Sequence, residues 1–98
     1  MLLFVEFDVS ADIIDVPQEV IDNREILRRR FLKWVYDMNV KHQYWHTFKD
    51  GSKGVLYRSD AFVEWLNKKT LRDSEQKAIV IEQYVSVENE QNLPSIFF

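Results

Sequence analysis

The apolar residues of this 98-residue chain change their spacing repeatedly, and the order of those changes constrains the fold more than any single residue does. Alternation over Leu2 to Val9 reads as a strand, and a three-to-four spacing from about Asn23 to Met38 reads as a helix. His42 to Phe48 and Val55 to Arg58 read as two strands, Asp60 to Leu71 as a second helix, and Ala78 to Val87 as a last strand. Leu3, Val5, Phe7 and Val9 share one side of the first strand, leaving Leu2, Phe4, Glu6 and Asp8 on the other. Within the first helix Leu27, Phe31, Trp34 and Met38 form an amphipathic stripe, while Arg24, Arg28, Arg29, Arg30 and Lys33 occupy the opposite face. Asp22, with Glu25 three residues on, predicts the cap of that helix. Residues 10–22 follow no single period. Either Ile13 and Ile14 pack as a short extra element, or Pro17 opens an early helix, where its missing N–H costs nothing.

Strand, helix, strand, strand, helix, strand is the order of two split βαβ units. Right-handed crossovers then put both helices on one face of a four-stranded antiparallel sheet, a ferredoxin-like α+β sandwich. The two middle strands meet at Lys49-Asp50-Gly51-Ser52, a strong hairpin signal. A two-residue loop at Asp50 and Gly51 sets Phe48 against Lys53, His46 against Val55, Trp45 against Leu56 and Tyr44 against Tyr57, with Trp45 and Leu56 assigned to the core. Ser59 is the expected cap of the second helix, whose stripe is Phe62, Trp65 and Leu66. In the last strand Ile79, Ile81, Val85 and Val87 are assigned to the core, and Val80, Glu82 and Tyr84 to the open side.

Ninety-eight residues suffice for one domain, 1–98, with 88–98 as a C-terminal tail behind a polar linker. A net charge of −3 weighs against nucleic acid as a partner, since a phosphate backbone would meet the wrong overall sign. The chain has no cysteine, so thiolate chemistry and cysteine zinc sites are excluded. The apolar start meets Glu6 and Asp8 too soon for a membrane span, and a soluble cytoplasmic protein is expected. No motif asks for a cofactor or a dedicated metal site.

In the ferredoxin-like strand order the side away from the helices collects Phe4, Glu6, Asp8, Tyr44, His46, Tyr57, Glu82 and Tyr84. Glu6, Asp8 and His46 are the candidates for metal binding or acid–base catalysis, because two carboxylates and an imidazole can hold a divalent ion or move a proton. Phe4, Tyr44, Tyr57 and Tyr84 are the candidate binding aromatics. At the C-terminus Leu93, Ile96, Phe97 and Phe98 form an apolar cluster expected to pack on its own open sheet face or on a second subunit, the alternative being a disordered terminus.

Leu3-Phe4-Val5 and Lys53-Gly54-Val55-Leu56-Tyr57 resemble the two signature strands of RNA-recognition-motif domains. That resemblance implies stacking of single-stranded RNA bases on Phe4 and Tyr57. Met1 to Ser10 is similar to the opening strand of the small CRISPR-adaptation nuclease-like proteins, which implies Asp8 as the metal aspartate of a metal-dependent nuclease-like enzyme. Against both, composition and patterning favour a non-enzymatic protein-interaction or regulatory module. It would pair with a protein partner or with a second copy through an edge strand or the tail.

Overall fold

A computed structural model of the chain describes residues 1–89 and 92–98. Leu2–Glu6 forms β1, and a tight turn closed by the Phe7 N–H on the Ser10 carbonyl (2.8 Å) returns the chain as β2, Ala11–Asp15. Pro17 then precedes α1 (Gln18–Asp22), and Asn23 separates it from α2 (Arg24–Val35). The Asn23 side chain donates back to the Glu19 carbonyl (2.8 Å), ending α1 where Asp22 was expected to begin the longer helix. Two three-residue strands, β3 (Trp45–Thr47) and β4 (Lys53–Val55), lead to α3 (Ser59–Lys68), β5 (Ile79–Val85), a 3-10 turn at Val87–Asn89 and β6 (Ser95–Phe97).

The sheet is mixed, in the order β5-β2-β1-β6, with β6 parallel to β1 and the other pairs antiparallel. This overturns the ferredoxin-like sandwich. The irregular stretch 10–22 supplies a central strand, residues 95–97 supply an edge strand, and the strands flanking Asp50-Gly51 leave the main sheet to form a separate ribbon. Both readings of residues 10–22 materialise together, as β2 and as a helix behind Pro17.

The ribbon is also shifted by one residue from the expected register: Trp45 faces Val55, His46 faces Gly54 and Thr47 faces Lys53. Phe48 and Ser52 close the loop through the Phe48 N–H on the Ser52 carbonyl (2.8 Å), so the loop holds three residues, with Gly51 at φ 87°. Asp50 accepts from the Ser52 N–H (2.9 Å) and hydroxyl (2.6 Å), which favours this wider turn over the two-residue one. The slip buries Tyr44 and leaves Leu56 exposed, the reverse of the assigned faces.

Leu3, Val5, Ile14 and Ile96 meet Val20, Leu27, Phe31, Val35, Phe62 and Leu66 in one core, so all three helices share one side of the sheet. Met38 lies beyond the end of α2 and is exposed. At the start of β5 the expected faces are exchanged, with Val80 packed against the core and Ile79 and Ile81 exposed, whereas Glu82 and Tyr84 are exposed as expected. Val80 pairs with Ile14 on the helix side of the sheet, which turns Ile79 to the other side, and the two register irregularities against β2 that follow break the alternation of the rest of the strand. No helix among the described residues is long and apolar enough to cross a membrane.

Candidate functional site

Asp12 sits opposite Val5 in the middle of the sheet, with no solvent exposure. A buried carboxylate is costly unless it is paired and hydrogen-bonded. Here Oδ1 accepts from Arg58 Nε (3.1 Å), Arg58 Nη2 (2.6 Å) and the Tyr84 N–H (3.1 Å), and Oδ2 accepts from the Ser59 N–H (3.1 Å) and hydroxyl (2.5 Å). Ser59 is the first residue of α3, so the cap expected from Ser59 itself comes from a carboxylate on β2, where the helix dipole favours negative charge. Burial alone would push the Asp12 carboxyl up, but the donors from Arg58, Ser59 and Tyr84 outweigh it and hold the group below its usual value. The Arg58 guanidinium lies between two rings, 4.0 Å from the Tyr84 centroid and 4.5 Å from that of Phe7. Tyr84 takes φ 60°, a costly conformation for an aromatic residue, and from it donates its N–H to Asp12. The network ties β2, β5 and α3 together, and both Asp12 oxygens are consumed in doing so. A cleft of about 480 Å³ opens beside it between Leu56, Arg58, Asp60 and Tyr84.

A second cluster is aromatic. Phe31 of α2 stands within 5.4–6.0 Å of the rings of Trp34, Tyr57, Phe62, Trp65 and Phe98. From Trp34 the cluster continues to His42 (4.7 Å), which stacks within 2° of parallel on Trp45 at 5.4 Å. His42 Nδ1 accepts the Tyr44 N–H (3.2 Å), which places the ring proton on Nε2, facing the Val35 carbonyl at 2.9 Å. Trp45 Nε1 donates to the Val40 carbonyl (2.8 Å). Nearby, the Tyr44 hydroxyl donates to Glu64 (2.7 Å) and accepts from Gln43 (3.0 Å). Burial, with Glu64 beside it, pushes the Tyr44 hydroxyl up to about 12. Glu64 is held low, first by Tyr44 and then by Lys68.

The candidates taken from the sequence scatter over these features. Glu6 ends β1, Asp8 is exposed in the turn after it, and His46 is exposed on the separate ribbon against Phe48. Among the described residues no three metal-ligating side chains come together, there or elsewhere. Phe4 is fully buried on the side of β1 away from the helices, whereas Tyr57 is half-buried between Phe7, Phe31, Tyr36 and Phe98, so the two share no surface on which a base could stack. Tyr44 is buried and Tyr84 exposed over Arg58. Ile96 enters the core, Phe98 joins the aromatic cluster, and Phe97 between them is exposed on the other side of β6.

Asp12 and Arg58, the most strongly bonded polar pair of the fold, were not among the candidates. Their only signal in the sequence is an acidic residue that interrupts an apolar run and a basic one at the end of another. Comparison with protein-family models, with curated proteins and with solved structures found no significant match.

Proposed function

We propose that the protein is a non-enzymatic interaction module that associates with a second copy of itself through the helix-free face of its sheet. The observation that carries this reading is the exposure there of Ile79 (56%), Phe97 (54%) and Leu2 (40%), with Ile81 beside them (54%). By register Ile79 and Leu2 flank Asp15 at one end of this side and Phe97 lies beside Glu6 at the other, so it presents apolar groups at two corners around the buried Phe4.

Both edges of the sheet are guarded, which directs a partner to the face and away from strand addition. On β6, Arg24 Nε donates to the Ser95 carbonyl (3.0 Å) and Arg28 Nε to that of Phe97, occupying outward-facing acceptors. On β5, two irregularities bend the strand, a common way of blunting an edge. Four strands at about 4.8 Å spacing give a face only some 15–20 Å wide, so the association belongs to the weak class of interfaces. A cytoplasmic setting is part of the proposal.

Light scattering on a concentration series tests it. The mass should rise above the single-chain 11.8 kDa as the protein is concentrated, and Ile79→Lys with Phe97→Lys should return it to one chain with the melting temperature unchanged. A single-chain mass at every concentration overturns the reading.

A further inference from the structure

Between the end of α2 and the β3–β4 ribbon lies a cleft of about 310 Å³, lined by Met38, Val40, Lys41, His42, Trp45 and Lys53. We propose that this cleft binds a planar aromatic anion, with its ring against Trp45 and Met38 and its negative group between Lys41 and Lys53. The inference stands apart from the self-association reading and uses none of its residues.

Three features lead to it. First, the polar atoms of the aromatic wall are already satisfied by protein: His42 by the Val35 carbonyl and the Tyr44 N–H, Trp45 by the Val40 carbonyl. What these rings present to a ligand is therefore π-surface, which suits a flat apolar body. Met38, exposed and unbranched, adapts its thioether to the edge of such a ring. Second, the only charged groups in the lining are Lys41 and Lys53, and among the described residues neither forms an ion pair. In a chain of net charge −3 this is a local reversal of sign with no lining carboxylate to neutralise it, so an anion is the complementary occupant. Third, the wall is held in place before any ligand arrives. The stack of Trp34, His42 and Trp45, pinned by hydrogen bonds to the chain on either side, fixes the segment that would otherwise have to be ordered on binding. An apolar cleft with a few convergent polar groups is the usual form of a small-molecule site.

The probes are 2-naphthoate, its neutral counterpart 2-naphthol, and inorganic phosphate, followed through the indole N–H resonance of Trp45 in nitrogen–proton correlation spectra. Naphthoate should shift that resonance saturably, naphthol should bind roughly five- to tenfold more weakly, as two exposed charge contacts would allow, and phosphate should leave the indole unmoved. Raising the salt concentration should erase the preference for naphthoate. Lys41→Gln with Lys53→Gln, both at exposed positions, should make naphthoate and naphthol bind alike at an unchanged melting temperature. No shift at Trp45, equal binding of the two naphthalenes by the native chain, a preference indifferent to salt, or a double variant that still favours naphthoate overturns the proposal.

Discussion

Asp12 concentrates more of the fold into one side chain than any other polar residue. Its partner Arg58 is 46 positions away, and no local pattern could have joined them. Removing one member of a buried pair leaves the other uncompensated, so Asp12→Asn should cost about 3–5 kcal/mol in urea unfolding at neutral pH. The pH dependence follows from the direction of the shift. Because the folded carboxyl lies below its ordinary value of 3.8, the pair's contribution is fully present above that value and is lost as pH falls through the lower, folded one. The gap in stability between the native protein and the Asp12→Asn variant should therefore narrow on acidification, whereas a gap constant down to strongly acidic pH would show that the carboxylate is not the ionised partner of Arg58. Phe4 teaches the complementary lesson. Alternation correctly put it on the side away from the helices, but alternation says nothing about what covers a side, and the residue has no exposure.

At the scale of elements, the amphipathic helices were legible because their stripes are long. Leu27 and Phe31 in α2, and Phe62, Trp65 and Leu66 in α3, are buried as their spacing demands. The central strand β2 was not legible, since Ala11, Asp12 and Ile14 are buried together and give no alternation. The three residues of β6 are too few to show a period at all. The hairpin lies between these cases. Asp50-Gly51 located the turn, but the Asp50 hydrogen bonds to Ser52 widened it by one residue and moved every cross-strand pair. Gly51 has open space around it and a positive φ, so the cost of a side chain there is conformational and not steric. Gly51→Val should destabilise by about 1–3 kcal/mol in thermal or urea melts, and Gly51→Asn by clearly less, because Asn tolerates the left-handed region. Equal losses in the two variants would point to some other role for the glycine.

For the whole molecule, the decisive feature is that the two strands latest in the chain, β5 and β6, lie at opposite edges of the sheet. Local periodicity cannot encode that arrangement, because it depends on which distant segment pairs with β1. The ferredoxin-like order would have used the hairpin strands there; three-residue strands in a separate ribbon leave the place to residues 95–97. The consequence is that an end of the chain closes the core. Ile96 is nearly fully buried, and Phe98 touches the rings of Phe7, Phe31, Tyr57 and Phe62, drawn from the β1–β2 turn, α2, the segment after the ribbon and α3. Large-to-small changes at such positions cost about 2–5 kcal/mol each, against a total stability of about 5–15 kcal/mol for a typical domain. Deleting residues 95–98 removes both side chains and also takes from Arg24 and Arg28 the β6 carbonyls to which their Nε groups donate. The shortened chain should therefore lose its near-ultraviolet aromatic circular dichroism and melt without a cooperative transition, instead of merely fraying at one edge. If that signal survives with a sharp melt, β6 is an addition to a core that is complete without it, and the aromatic cluster around Phe31 stands on α2 and α3 alone.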